Sequence, residues 1–380
     1  MKRSLDPLRK FLNKCRPAYA QQAGNPVAKC RLASRKPTYV LVIFLLIFSA
    51  SVFAKQHEIL NIYNWGGFLP DTVADEFTKE TGIKVRYSTY MSDQDLYAKL
   101  AIAYNNSGYD VIFPSVDFLG RMERSGMLEK IDKTKIPNFK NLDPHFVDQA
   151  FDPQNNYSVP YLWGSTGLVI NRKYYPHLKF DRWHDLWDPV LKDKLLLMDD
   201  PRTNFDIALH LLGYSINTQD PKQIKQAYEK LRTLLPNIKL FNMIAPQSIY
   251  TNENAVIGVG YSGDTYAAIL SNPGLEFIYP NDGVFLWMNS MAIPKNAPNR
   301  DNAYKFINFI LRPDIAAQIA TTLRYSTPNL AAKKLLPKEQ RDSRVLYPNA
   351  VDLKNSQFET DIGGANELYE QYWQELKMTT

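Results

Sequence analysis

Aromatic rings, small polar residues and carboxylates recur together in five stretches of this chain: Asn64-Trp65-Gly66-Gly67-Phe68, Pro114-Ser115-Val116-Asp117, Asp199-Asp200-Pro201-Arg202, Gly260-Tyr261-Ser262-Gly263-Asp264 and Phe285-Leu286-Trp287-Met288-Asn289. Ring faces attract positive charge, and carboxylates accept charge-assisted hydrogen bonds from ammonium groups. That chemistry grips a small organic cation without breaking a bond. Ser115 has no evident base partner, so a serine hydrolase is not indicated. The five histidines lie outside these stretches and no two are four residues apart, so a metal site is not expected. Gly66-Gly67 is too short a glycine run to cradle a pyrophosphate. The expectation is a binding protein rather than an enzyme, with no cofactor and no metal.

The elements that must position these residues alternate. Ile59–Trp65 reads as a strand, and Asp71–Thr81 as a helix with Val73 and Phe77 on one face and Gly82 as its stop. Residues 83–89 are β-branched and extended. Ser92 caps a helix that buries Leu96 and Leu100. Residues 110–114 form a short strand and 118–125 another helix. This β-α-β-α-β order predicts a parallel sheet with helices on both faces. A second unit opens near Tyr161, with strands at 166–171, 194–198, 256–261 and 283–294. Its helices are expected at 204–212 and 221–235, and two more come at 302–311 and 313–321. No flexible linker divides the units, so the chain crosses between them more than once. Crossing strands make a hinge, and a hinge makes a cleft. Ligands of open α/β sheets sit beyond the carboxyl ends of the strands, where the five stretches converge.

The net charge of +6 comes from the N-terminus. Residues 1–54 carry ten Lys/Arg and one acid, which leaves 55–380 at −3. The basic residues of that remainder are scattered, so no nucleic-acid partner is expected. A basic stretch, an apolar run from Tyr39 to Phe48 and the small-residue segment Ser49 to Ala54 read as a signal peptide with an extended basic n-region, cut after Ala54. The 16 residues from Tyr39 to Ala54 are short for a membrane span. The bland alternative is an uncleaved anchor. Both cysteines, Cys15 and Cys30, fall in this leader, so the exported chain has no disulfide. An exported, cysteine-free protein points to a bacterial periplasm.

The chain resembles the periplasmic spermidine/putrescine-binding proteins of bacterial ABC transporters over essentially all of 58–378. The likeness is carried by Asn64-Trp65, by the run Phe77 to Val85, by Pro160-Tyr161-Leu162-Trp163-Gly164, by Leu311-Arg312-Pro313-Asp314 and by the run Tyr325 to Ala332. It implies an α/β, two-lobed periplasmic binding protein fold with a hinge and a central ligand cleft. One lobe would be 57–163 plus 289–332 and the other 164–288 plus 333–380.

Position by position, the resemblance implies that Trp65, Tyr261, Trp287 and Tyr325 line the pocket, with Tyr261 standing where the family usually has tryptophan. Asp200 matches an acid that binds an amino group, Ser115 a small polar lining residue, and Asp264 an acid of the putrescine-preferring branch. Three family acids are replaced, by Gly67, Thr203 and Asn289; the Asn289 amide can still accept a hydrogen bond. Two acids are gained: Asp117 stands for a tyrosine and Glu359 for a glutamine. Bland readings compete at each position. Trp65 is equally suited to packing. Asp199 or Asp200 can cap the helix near Asn204, Asp264 a helix near Thr265, and Asp117 the helix at 118, while Glu359 can be solvated. Asp199 is expected to be structural.

The resemblance and the residues together imply capture of a polyamine in the periplasm by a monomer and delivery to an inner-membrane ABC permease. Asp200 and Asp264 would hold one end of the ligand, and Glu359 or Asp117 the other. Two alternatives remain: a sensor docking onto a membrane receptor, and a binding protein for another cationic or zwitterionic solute. For the latter, Arg202 is the residue that would meet a carboxylate.

Overall fold

In the computed structural model the described residues are 58–103, 106–241 and 257–379. The expected signal peptide and its cleavage site lie outside them. The first strand, β1 (Ile59–Trp65), alternates in the way a strand between two helix layers must. Leu60 and Ile62 join one core with Phe77 of α1 (Asp71–Thr81). Tyr63 points into another with Leu96 and Leu100 of α2 (Asp93–Ala103). Helix α1 stops at Gly82, whose φ of 74° is open to glycine at no steric cost. Helix α2 starts where Ser92 Oγ accepts the Asp95 N–H at 3.1 Å. Strands β2 (Lys84–Tyr90) and β3 (Val111–Ile112) flank β1 in parallel, in the order β2-β1-β3, and α3 (Val116–Arg124) comes next.

Strand β4 (Val159–Asn171) is buried along its whole length. It joins two apolar cores. Val159, Tyr161 and Leu162 pack with Leu60 and Phe77, whereas Leu168 and Ile170 pack in a second core with Trp183 and Leu195. Beyond β4 come β5 (Leu195–Leu197), α4 (Pro201–Leu211), α5 (Pro221–Arg232), β6 (Ile238–Phe241), β7 (Ile257–Tyr261), α6 (Ser262–Ser271) and β8 (Leu275–Ile278). The chain then returns along β9 (Phe285–Met291), antiparallel to β4. Phe285 lies in the second core and Met291 in the first, so β9 repeats the span of β4 in reverse. Helices α7 (Arg300–Ile310) and α8 (Pro313–Leu323) complete the first core. Strand β10 (Gln357–Phe358) and helix α9 (Asn366–Lys377) end the described chain. The large sheet runs β10-β9-β4-β7-β5-β6, with β8 also on β4.

Most of the long elements fall where periodicity placed them, but α9 was not expected and β4 begins seven residues ahead of the expected 166. Strand β6 has both middle residues exposed and offers no apolar pattern to read. Residues 201–203 also extend α4 a turn ahead of the expected start, because Pro201 suits a first helical turn and Asp200 caps it. Among the described residues no helix is long and apolar enough to cross a membrane.

Candidate functional site

Six rings form a continuous belt. Tyr261 ends β7 and meets Trp287, midway along β9, edge-on at 5.6 Å between ring centroids. Trp287 meets Tyr325 edge-on at 5.5 Å, and Tyr325 lies 5.4 Å from Phe68. Phe68 stands 6.5 Å from Trp65, which lies 4.8 Å from Tyr90. Two glycines let the belt close. A Cβ at Gly164 would overlap the Trp287 indole, and one at Gly263 would overlap the Tyr325 ring. The Trp287 indole N–H finds no hydrogen-bond partner among the described residues, so packing on Gly164 sets that ring. Trp65 is fixed by its Nε1, which donates to the Phe113 carbonyl at 3.2 Å, and the Phe68 carbonyl accepts from Tyr161 Oη at 2.5 Å. Trp65, Phe68, Tyr261 and Trp287 remain half-buried, with ring surface to offer.

Two of these tyrosines hold carboxylates. Tyr261 Oη donates to Asp200 Oδ2 at 2.9 Å, with Thr203 Oγ1 3.3 Å from the same hydroxyl. Tyr325 bonds Asp264. Burial, then the adjacent carboxylate, keeps both phenols well above the ordinary tyrosine range, so both remain donors. Asp200 also caps α4 by accepting the Thr203 N–H at 3.3 Å. The capping reading of Asp200 is met, and its other oxygen is turned to Tyr261 in the belt. Asp264 lies in the first turn of α6, and the cap position belongs to Tyr261. Ser115 takes the cap position of α3, which places Asp117 in its first turn. Asn289 Nδ2 donates to Ser115 Oγ at 3.1 Å, and Ser115 and Asn289 also pair through their backbones.

A third group of acids gathers around Arg202. Asp206, on α4, is wholly buried and lies 3.7 Å from the Arg202 guanidinium one turn earlier. The Glu359 side chain faces it, and neither Asp206 oxygen meets a hydrogen-bond donor among the described residues. Burial raises both carboxyls, Asp206 to about 7 and Glu359 well above the usual range; Arg202 pulls both down, Asp206 pushes Glu359 further up, and Glu359 lowers Asp206. Burial likewise lifts Asp117 to about 6 against the pull of Arg202, and lifts Asp93, which accepts the Ser115 N–H at 3.2 Å. Arg202 itself is committed: Nη1 donates to the Thr360 carbonyl at 3.1 Å and Nη2 to Asn217 Oδ1 at 2.9 Å.

Residues 72–344 match the family described as bacterial extracellular solute-binding protein. The chain belongs to that family. It is similar to the spermidine/putrescine-binding periplasmic protein of Escherichia coli, with 44% identity over 85% of this chain and 93% of that protein. A Haemophilus influenzae protein of the same description, numbered 1, is 41% identical over 87% of this chain and 91% of its own length. Among solved structures, the spermidine/putrescine ABC transporter substrate-binding protein PotD of Streptococcus pneumoniae superposes with a TM-score of 0.74 at 35% identity. The match covers 84% of this chain and 99% of that one.

In this solute-binding protein the ten residues singled out from sequence fall into linked groups. Trp65, Trp287, Tyr261 and Tyr325 share the belt; Asp200 and Asp264 hang from its tyrosines; Ser115 and Asn289 touch each other. Asp117 and Glu359 instead share the surroundings of Arg202. Glu359 is half-buried there. Asp199 is structural: it accepts from Trp373 Nε1 at 3.0 Å and Lys377 Nζ at 2.9 Å. Sequence reasoning missed Tyr90 and Asp206, and quoted Phe68 without assigning it to the pocket. The available signal for Asp206 was an Arg–Asp pair four residues apart inside an otherwise apolar helix face.

Proposed function

We propose that this chain captures a polyamine in the periplasm and delivers it to an ABC permease. The observation that carries the reading is the aromatic belt with a tyrosine-held carboxylate at Asp200 and another at Asp264. Rings supply cation–π attraction and apolar cover for methylene chains, and the carboxylates pair with ammonium groups that would otherwise be costly to bury. The relatives named for spermidine and putrescine point to the same ligand class. Arg202 is already hydrogen-bonded to Thr360 and Asn217, which argues against its meeting a ligand carboxylate.

The two lobes are 57–163 plus 289–332 and 164–288 plus 333–380, with β4 and β9 as the hinge strands. The division of their residues between two apolar cores supports this partition. Closing one lobe on the other would tell the permease that the protein is loaded.

Isothermal titration against putrescine, cadaverine, spermidine, norspermidine and spermine tests the reading. Binding of at least one is expected. No binding from folded, ligand-free protein would mean that the replacements at Gly67, Thr203 and Asn289 changed the ligand class.

A further inference from the structure

The acids around Arg202 outnumber the cations available to them. Asp206 has no exposed surface, and neither of its oxygens accepts a hydrogen bond from any N–H, hydroxyl or amide of the described residues. The Glu359 carboxyl faces it, on the segment that Arg202 holds through the Thr360 carbonyl at 3.1 Å. Two carboxyl groups bond to each other only when a proton lies between them. The groups facing this pair are Arg202 on α4, Asp200 at its cap, Asp117 from α3, Tyr261 at the end of β7 and Tyr369 from α9. Of these, only the guanidinium is a cation. His210, one turn beyond Asp206, packs edge-on against Phe285 at 5.7 Å.

We propose that Asp206 makes ligand capture a proton exchange: the ligand-free site stores a proton between Asp206 and Glu359, and an arriving ammonium group displaces it. This rests on the polyamine reading above. Glu359 faces both Tyr261 and Asp200, so it adjoins the carboxylate wall of the belt. An ammonium seated beside Asp200 stabilises the ionised form of Glu359. Its proton then leaves to solvent, and the freed carboxylate becomes an anchor for the cation. No covalent bond forms or breaks in the ligand, and charge balances as one cation replaces one proton. Asp206 need not touch the ligand: it is a positioning residue that holds the proton on Glu359 until a cation arrives.

Calorimetry in buffers of different ionisation enthalpy reads the exchange directly. The chain freed of its leader is titrated with putrescine and with spermidine at pH 7.5 in phosphate, HEPES and Tris. The slope of observed heat against buffer ionisation enthalpy gives the protons released. We expect release of roughly one proton per ligand, and near none in Glu359→Gln, for coupled carboxyls of this kind. Asp206→Asn should abolish the release as well, which guards against a poorly folding Glu359 variant. Binding with a flat slope in the unaltered protein overturns the exchange and leaves the polyamine reading intact. Release that persists undiminished in Glu359→Gln or Asp206→Asn also overturns it. Absence of binding to either ligand overturns the polyamine reading, and the exchange with it.

Discussion

Tyr261 and Asp200 meet at 2.9 Å, phenol to carboxylate, and that bond joins the end of β7 to the start of α4. Asp200 thereby does two things at once: it caps a helix and presents a charge beside the ring belt. The two can be separated. Asp200→Asn keeps a good capping side chain and loses the charge. It should weaken polyamine binding by about 3 kcal/mol or more, because an ammonium is left without its anion, with little change in thermal midpoint. Asp200→Ala should add a loss of stability of about 1 kcal/mol from the missing cap. Titration calorimetry and thermal unfolding on both variants check this. Equal affinity in Asp200→Asn and the unaltered protein would take Asp200 out of the site.

Gly164 and Gly263 offer a way to disturb the rings without removing them. A methyl group at either position overlaps the Trp287 or Tyr325 ring. Gly164→Ala should displace the Trp287 indole and lower affinity by about 1–2 kcal/mol, the scale of a desolvated cation–π contact. Trp287 fluorescence should shift at the same time. A variant that binds normally with its indole demonstrably moved would show that Trp287 is packing and not ligand wall.

The belt was largely readable from sequence because each ring sits in or just after a strand whose apolar run is plain: Trp65 closes β1, Tyr261 closes β7 and Trp287 lies within β9. Strand periodicity places such residues, and β7 and β9 flank β4 on either side in one sheet, both antiparallel to it. Partners joined only by tertiary packing were not readable. Asp206 and Glu359 are 153 residues apart, and their approach depends on how α4 meets the segment after β10. Asp117 looked like a helix cap because its neighbours are helical. The cap position went to Ser115, which also bonds Asn289 from β9.

Two contacts bridge α2 and α3 to the C-terminal segment: Gln94 Nε2 donates to Glu370 Oε1 at 2.8 Å, and Arg124 pairs with Asp361. In the proposed lobe partition both cross the cleft. Arg124 is well exposed, so the ion pair should matter little to global stability, within about 1 kcal/mol. Its effect should appear in the rate at which ligand leaves. Arg124→Ala is expected to speed dissociation several-fold in stopped-flow displacement while association and unfolding midpoint stay nearly unchanged. An unaltered dissociation rate would mean that the cleft does not open across this contact.

The buried acids also set how the ligand-free protein responds to pH. In the folded chain burial raises Asp117 to about 6 and Asp206 to about 7, and lifts Glu359 and Asp93 as well, whereas carboxyls of an unfolded chain ionise near 4. Between those limits the native state holds more protons than the unfolded one. Stability then falls as pH rises through the window and is greatest at its acid end. Asp132, Asp301 and Asp314 act in the opposite sense, since hydrogen bonds from Thr134, Lys135 and Arg312 hold them below the usual range, but their protonation occurs below this window. The unfolding midpoint of the ligand-free protein should therefore drop between about pH 5 and pH 8. Asp206→Asn should flatten that slope by removing one buried charge. Saturating ligand should flatten it too, because an ammonium beside Asp200 supplies the cation that the cluster lacks at high pH. A midpoint that climbs steadily from pH 5 to pH 8 without ligand would show that these carboxyls are ionised at no cost and that Arg202 alone balances them.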